Sequence, residues 1–167
     1  MVLFKKVLFL VMAGFVSSIS VAADSDMKTT TETFKDWQLV CVEQTDKKVC
    51  EMKQTLVNDK NQVVSVISLA KNSATSTMLQ IALPHMVDLG VPVYIETDGA
   101  KVADLSYKFC NQVACFVVLD NDQKMLNAFI KANKGLLKFQ TVAGQSVSLN
   151  FSLNGFSGAL GNLSINK

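Results

Sequence analysis

Hydrophobic and polar residues alternate along most of this chain at the two-residue period of half-buried β-strands. The alternation is sharpest in residues 146–153, SVSLNFSL, where every odd-numbered position is apolar. Residues 62–70 are instead nearly continuous in apolar and β-branched side chains, which is typical of a strand buried on both faces. The other predicted strands cover residues 34–44, 47–57, 78–83, 93–97, 101–110, 116–119 and 136–142.

One late segment has the spacing of an amphipathic helix instead. Asp122 is a suitable N-cap and Gly135 a suitable stop, so the pattern predicts a helix between them that packs across an end or edge of a sheet. A short helical turn is also predicted in the glycine-rich residues 155–163. The apolar stripe expected to enter the core consists of Met125, Leu126, Phe129 and Ile130.

A hairpin over residues 34–54 is the best-defined element of the pattern. A two-residue turn at 45–46 would set its two cysteines opposite each other in a non-hydrogen-bonded pair, where strands come closest and a disulfide spans them. The same register creates a cross-strand pair of opposite charge, which favours it further. The predicted pairs are Cys41 with Cys50, Glu43 with Lys48, Leu39 with Met52, and Trp37 with Gln54.

The four cysteines allow three disulfide connectivities. The local pairing Cys41–Cys50 and Cys110–Cys115 is favoured, because each pair lies symmetrically about a turn. The spacings, with eight and four intervening residues, differ from the Cys-X-X-Cys pattern of redox-active sites. Structural disulfides in turn indicate an oxidising compartment.

The first 23 residues have the layout of a cleaved secretory signal. Two lysines form a basic start, residues 7–16 are almost entirely apolar, and cleavage is expected after Ala22 or Ala23. A membrane anchor is the alternative, but the apolar run is short for a span of about 20 residues. The chain is therefore expected to be exported from the cytoplasm. The predicted organisation is signal peptide 1–23, flexible lead-in 24–33 and a single domain 34–167.

Charge argues against two classes of partner. Removing Lys5 and Lys6 from the 16 basic residues leaves 14, equal to the 14 acidic ones. Every basic residue is a lysine, so the chain lacks the arginine forks used to recognise phosphates and guanine. Nucleic acid is not an expected partner, and neither is an anionic membrane surface.

Many short strands, one clear helix and the length of one domain predict a mainly antiparallel β-sandwich, with a closed β-barrel as the alternative. The helix falls between late strands. The residues expected in the structural core include Trp37, Leu39, Met52, Gln54, Phe151 and Phe156.

The only histidine, His85, lies near Asp88 in a segment bracketed by Pro84 and Pro92. A serine hydrolase or a small-ligand site would have to use this histidine, but no nucleophile-elbow pattern accompanies it. The cysteines and the histidine lack zinc-site spacing once the cysteines are paired. The sequence therefore predicts no cofactor and no metal, and the pair His85 and Asp88 is a weak candidate site.

The chain carries an ordered set of landmarks: Phe34, Asp36, Trp37, Cys41, Cys50, Met52, Gln54, Leu83, Pro84, Gly90, Val91, Cys110, Cys115, the run LNGF at 153–156, Ala159 and Leu160. This set resembles the invasion-associated locus B family of bacterial exported proteins. The resemblance covers residues 34 to about 163 and implies an immunoglobulin-like β-sandwich in the periplasm or at the surface. The family takes its name from a role in the invasion of host cells, and the resemblance implies no enzymatic activity, cofactor or established ligand.

Two functional hypotheses follow. The first is an interaction module of the cell envelope that binds an envelope or host protein through its loops or edge strands. The second is a periplasmic hydrolase or small-ligand-binding protein with its site near His85 and Asp88. The first is favoured, because no catalytic set is recognisable in the sequence.

Overall fold

Eleven β-strands and two short helices make up residues 27–44 and 47–164, the part of the chain that the computed structural model describes. The predicted signal peptide and the turn at residues 45–46 lie outside these ranges. The strands are β1 Met27–Phe34, β2 Trp37–Gln44, β3 Lys47–Val57, β4 Val63–Lys71, β5 Thr77–Leu83, β6 Val93–Thr97, β7 Ala100–Leu105, β8 Tyr107–Cys110, β9 Cys115–Asp120, β10 Lys134–Gln140 and β11 Ser146–Ser152. The helices are α1 Gln123–Lys131 and α2 Phe156–Asn162.

The strands form two antiparallel sheets, which confirms the predicted β-sandwich. The larger sheet has seven strands in the order β1-β2-β3-β4-β5-β9-β8, and the smaller has four in the order β11-β10-β6-β7. Among the described residues each sheet ends in edge strands and does not close on itself, so the alternative of a closed barrel is wrong. The strand order also differs from the four-and-three arrangement of an immunoglobulin constant domain, because five consecutive strands lie side by side in one sheet.

Aromatic rings fill the space between the sheets and the two helices. Trp37 meets Phe156 edge to face at 5.1 Å between ring centroids. Phe156 in turn lies 5.4 Å from Phe129, and Phe129 lies 5.5 Å from Phe151. These contacts tie both helices to both sheets. The six residues expected in the core are all buried: Trp37, Leu39, Met52, Gln54, Phe151 and Phe156.

The hairpin formed by β2 and β3 has the predicted register. Cys41 lies opposite Cys50, with 4.1 Å between their Cα atoms. The cross-strand ion pair is also present, since Lys48 Nζ lies 2.9 Å from Glu43 Oε1. Leu39 faces Met52 as expected, and the ladder ends at Gln38 and Lys53, one residue before the predicted pairing of Trp37 with Gln54.

Residues 24–33 were expected to be a flexible lead-in, but the structure places residues 27–34 in strand β1. This strand pairs with β2 along its whole length, from Met27 opposite Gln44 to Phe34 opposite Trp37. Threonine is β-branched and favours strands, which accounts for a strand in so polar a sequence. Its side chains are exposed up to Phe34, so no periodic apolar pattern marks it.

The single strand predicted over residues 101–110 is wrong. The chain leaves the smaller sheet after Leu105 and joins the larger sheet at Tyr107, so β7 and β8 belong to different sheets. Leu105 is buried, whereas Phe109 is 48% exposed. The alternation continues across this crossover, and a two-residue period cannot show that a strand has changed sheets.

Helix α1 begins as predicted and ends earlier. The Asp122 carboxylate accepts a hydrogen bond from Met125 N at 2.9 Å, which is the expected N-cap. The helix stops at Lys131, and Gly135 lies in β10 instead of ending the helix. A Cβ there would lie 2.0 Å from the ring of Phe151, so this glycine makes room for a core aromatic. Ile130, predicted in the buried stripe, is 46% exposed.

Candidate interaction surface

Ten large apolar side chains are exposed in the described part of the chain, and seven of them lie along one rim of the molecule. Their exposed fractions run from 48% for Phe109 to 81% for Val113. Single exposed apolar residues are common on soluble proteins, but a contiguous group marks a contact surface. These seven residues, here called the apolar rim, are Val57, Val63, Met86, Leu89, Phe109, Val113 and Val142.

The first part of the rim is built by three connections at one end of the larger sheet. Strand β3 ends at Val57, which pairs with Val63 at the start of β4. Val63, Pro84 and Val113 line one open groove beside this pair. The apolar walls of the groove therefore come from the β3–β4, β5–β6 and β8–β9 connections.

The second part of the rim lies on the connection between the two prolines. The carbonyl of Met86 accepts a hydrogen bond from Val142 N at 2.8 Å, which joins this connection to the β10–β11 turn. On the other side, His85 Nε2 lies 2.7 Å from the carbonyl oxygen of Asn111 in the β8–β9 turn. Backbone and side-chain contacts thus join the four connections into one continuous surface.

Charge on this surface is sparse and balanced. Its connections and strand β8 contain Asp59, Lys60, Asp88 and Lys108, two residues of each sign. Such a surface exerts little long-range electrostatic attraction on a charged ligand. Recognition here would depend on apolar contact and shape.

The structure gives His85 and Asp88 separate local partners. A carbonyl oxygen can only accept, so Nε2 of His85 donates its hydrogen bond to Asn111. Asp88 Oδ1 accepts from Gly90 N at 2.9 Å and closes a turn. Within the described residues no hydrogen bond or ion pair joins His85 to Asp88, and neither bonds a serine hydroxyl. These side chains shape the connection and do not form a nucleophile–base relay.

Tyr107 places an enclosed hydroxyl close to the same connection. Its Oη is buried and has no hydrogen-bond partner among the residues described. Burial, together with the negative charge of Asp88, raises the pKa of Tyr107 to about 12. The phenol is therefore protonated at neutral pH and unsuited to act as a base there.

The two disulfides, Cys41–Cys50 and Cys110–Cys115, join the local pairs expected from the sequence. Cys41 and Cys50 are both buried, and Ser164 Oγ lies 2.9 Å from Cys50 Sγ. Cys110 is exposed at the rim, while Cys115 is buried. Asn111 braces the short turn between them by accepting hydrogen bonds through Oδ1 from the backbone of residues 113 and 114.

Residues 27–44 and 47–164 hold no cluster of three or more histidine, cysteine or acidic side chains arranged to bind a metal ion. They also hold no helix with the length and apolar character needed to cross a membrane.

Sequence reasoning missed the apolar rim. Its members are scattered over more than eighty positions, from Val57 to Val142, and meet only through the fold. A partial signal was present in Met86 and Leu89, two large apolar residues in a connection predicted to lie at the surface. Apolar residues in a surface connection are not needed for a core, so they favour a contact role.

Comparison with known proteins places this geometry in a family. The sequence pattern of the Invasion associated locus B (IalB) protein family matches residues 37–164. "Invasion protein B" of Bartonella bacilliformis is 26% identical over 135 residues, which cover 78% of this chain and 72% of that protein. An "Invasion protein B homolog" of Brucella abortus is 24% identical over 147 residues, covering 86% of this chain and 84% of the homolog.

A solved structure agrees with these sequence relatives. The crystal structure of invasion associated protein B from Bartonella henselae superposes with a TM-score of 0.71 at 28% sequence identity. The alignment covers 80% of this chain and 94% of the crystallised one. These relatives are named as invasion proteins and not as enzymes. The matched region spans most of the sandwich, both disulfides and the apolar rim, and the chain belongs to the invasion associated locus B family.

Proposed function

We propose that the protein is an exported interaction module of the bacterial cell envelope that binds a partner protein through the apolar rim. The observation that carries the proposal is the concentration of seven of the ten exposed large apolar side chains of the described residues on this one surface. A monomeric domain gains nothing in stability from exposing them together. Burial against a partner would stabilise a complex through the same side chains.

The chemistry of the rim favours a protein partner with an apolar surface. The members of the rim are mainly aliphatic. Met86 is the most flexible of them, and the half-exposed ring of Phe109 offers the largest contact area. The balanced charge around them suits neither nucleic acid nor an anionic membrane surface. The groove lined by Val63, Pro84 and Val113 would receive an apolar side chain of the partner.

Export is supported by the signal-like N-terminal sequence and by the two disulfides. Disulfides of this structural kind persist in oxidising compartments. The names of the relatives extend the proposal to a role in host-cell invasion, with the partner in the envelope or on the host cell. Cell fractionation and N-terminal sequencing test the export step, and a mature N-terminus after Ala22 or Ala23 is expected.

A photo-crosslinking amino acid placed at Val113 or Met86 in living cells tests the binding surface. The same partner protein should be captured from both positions, because both lie on the rim. Val49 and Ile130 are matched controls, since they are exposed apolar residues away from the rim. Equal capture of that protein from the control positions, or none from the rim, would contradict the proposal.

The hydrolase alternative has a separate test. The variant His85→Gln keeps a donor for the Asn111 carbonyl but removes acid–base chemistry. We expect it to fold and to retain partner capture. Turnover of a test ester or peptide that depends on His85 would favour the alternative instead.

A further inference from the structure

Strand β1 forms one margin of the larger sheet, and its outer edge has no partner strand among the described residues. It is eight residues long, and every side chain before Phe34 is exposed. A free edge of this length presents unpaired backbone groups that can receive another strand. The edge is therefore a candidate interface separate from the apolar rim.

The hydrogen-bond phase of β1 follows from the neighbouring disulfide. The short Cα separation of Cys41 and Cys50, 4.1 Å, marks a non-hydrogen-bonded pair. The backbone groups of Cys41 therefore point away from β3 and toward Thr30, its partner in β1. The residues that turn their N–H and C=O groups to the free edge are then Met27, Thr29, Thr31 and Thr33.

The sequence of β1, MKTTTETF, is complementary to itself in the antiparallel orientation. When Thr30 faces Thr30 of a second copy, Lys28 of each copy faces Glu32 of the other. Thr29 then faces Thr31, which places the outward backbone groups in hydrogen-bonded pairs. Cross-strand pairs of opposite charge and of threonines both stabilise a sheet.

Lys28 and Glu32 lie on the same face of β1, and their charges favour this one register between two copies. Lys28 lies opposite Glu43, which already binds Lys48. The Lys48 ammonium, and more weakly that of Lys28, lowers the pKa of Glu43. Glu32 lies opposite Leu39 and makes no salt bridge within the described part of the chain. A second copy would bring its Glu32 to Lys28 and extend the row of alternating charge.

We propose that two copies of the protein associate through their β1 strands, antiparallel about a two-fold axis at Thr30, to join their larger sheets into one. The interface is isologous, so each contact occurs twice. About eight backbone hydrogen bonds would form, two for each outward-facing pair. The proposal is independent of the apolar rim, because a chain that stays monomeric could still bind a partner there.

Sedimentation analysis of the mature chain and of two charge reversals, Lys28→Glu and Glu32→Lys, tests the register. Each single variant places two like-charge pairs across the axis, and we expect its dimer to dissociate roughly tenfold more readily. An equimolar mixture of the two variants should recover the wild-type affinity as a heterodimer, because every pair is then opposite in charge. This recovery excludes a folding defect as the cause.

Disulfide trapping tests the same axis independently. All four native cysteines are paired, so an introduced cysteine is the only thiol. Thr30→Cys should form a covalent dimer on oxidation, whereas Thr33→Cys, far from its own copy, should not. A wild-type chain that is monomeric at every concentration overturns the proposal. So does a dimer that resists both charge reversals, or one in which Thr33→Cys is trapped as readily as Thr30→Cys.

Discussion

Two regions of the sandwich differ in where their polar and apolar side chains lie. At the junction of the sheets, formed by Asp36, Trp37, Gln54 and Ser152, the side chains of Trp37 and Gln54 are buried and form partly buried hydrogen bonds to the backbone of the other two residues. At the apolar rim, large apolar side chains lie in solvent. Buried hydrogen-bonded polar groups fix one arrangement of elements, whereas exposed apolar groups add nothing to the fold of the isolated chain. The difference separates the part of the molecule that holds it together from the part available for contact.

The junction depends on one glutamine side chain between the two sheets. Gln54 Nε2 donates to the carbonyls of Asp36 and Ser152, at 3.0 Å each, and its Oε1 accepts from Ser152 N at 2.9 Å. The indole of Trp37 donates to the same Ser152 carbonyl at 3.0 Å. Two residues of the larger sheet thus bind one residue of the smaller sheet. No comparable set of hydrogen bonds covers the rim residues in the described chain.

The largest expected effect comes from Gly155→Ala, which would displace the backbone next to the junction. Gly155 has φ +86°, and a Cβ there would lie 1.9 Å from the carbonyl oxygen of Phe34. Left-handed strain and displacement of this backbone should lower the free energy of unfolding by about 3–4 kcal/mol. Urea unfolding of the variant and the wild type measures this loss of free energy. Gly99→Ala is the matched control, because Gly99 has φ +87° but open space around it, and should cost only about 1 kcal/mol. Equal losses would show that the close contact is unimportant.

Gln54→Leu is expected to cost somewhat less, about 2–4 kcal/mol. The leucine side chain fills a similar volume but leaves Ser152 N–H and the Asp36 carbonyl without their hydrogen-bond partner. Gln38→Leu, on the exposed side of the neighbouring strand, should change stability by less than about 0.5 kcal/mol. Thermal and urea unfolding measure the stability of both variants. A Gln54 variant as stable as the Gln38 variant would show that the hydrogen bonds of Gln54 do not stabilise the junction.

The junction was partly visible in the sequence, and the reason is local. The register of β2 and β3 could be predicted because the cysteines and the pair Glu43 and Lys48 require the same alignment. That alignment placed Trp37 near Gln54 at the end of the hairpin. Their common partner, Ser152, lies about a hundred positions away and could not be inferred from spacing. A glutamine among core residues was the available sign of a buried hydrogen-bond centre.

Apart from the partial signal in Met86 and Leu89, the rim and the edge strand could not be predicted, because each depends on long-range packing. The alternation that runs through Leu105 and Phe109 does not record the change of sheet that exposes Phe109. A threonine-rich sequence such as that of β1 can form a tail or an edge strand, and only pairing with β2 distinguishes them. The sequence around Gly135 is compatible with the end of a helix. In the structure Gly135 lies in β10, where only a glycine leaves room for the ring of Phe151.

Substitutions at the rim should leave the fold nearly unchanged. Val113→Ser is expected to alter the free energy of unfolding by less than about 0.5 kcal/mol, because Val113 is 81% exposed. The same change should weaken the binding of a fluorescent apolar probe such as ANS, which reports exposed apolar surface. Val49→Ser, at a valine that is 50% exposed away from the rim, should leave probe binding unchanged. A large loss of stability in Val113→Ser would show that the rim, like the junction, stabilises the fold.

The smallest expected effect concerns Tyr107, the one buried polar group beside the rim that lacks a hydrogen-bond partner in the described residues. Tyr107→Phe removes a hydroxyl that makes no hydrogen bond in the described residues, so the free energy of unfolding at neutral pH should stay nearly the same. The pKa of Tyr107 is raised to about 12 in the folded chain, above the ordinary value of 10.0. The folded state therefore holds its proton where the unfolded chain has lost it, and the stability due to this group declines between pH 10 and about 12.

Unfolding measured across that alkaline range should show a shallower decline in Tyr107→Phe than in the wild type, since lysine titration is common to both. Tyr94→Phe, which leaves Tyr107 in place, should retain the wild-type decline and serves as the control. A clear loss of stability at neutral pH in Tyr107→Phe would instead mean that the hydroxyl has a partner. In that case the polar groups beside the rim would be as fully bonded as those of the junction, and only the exposed apolar side chains would still distinguish the two regions.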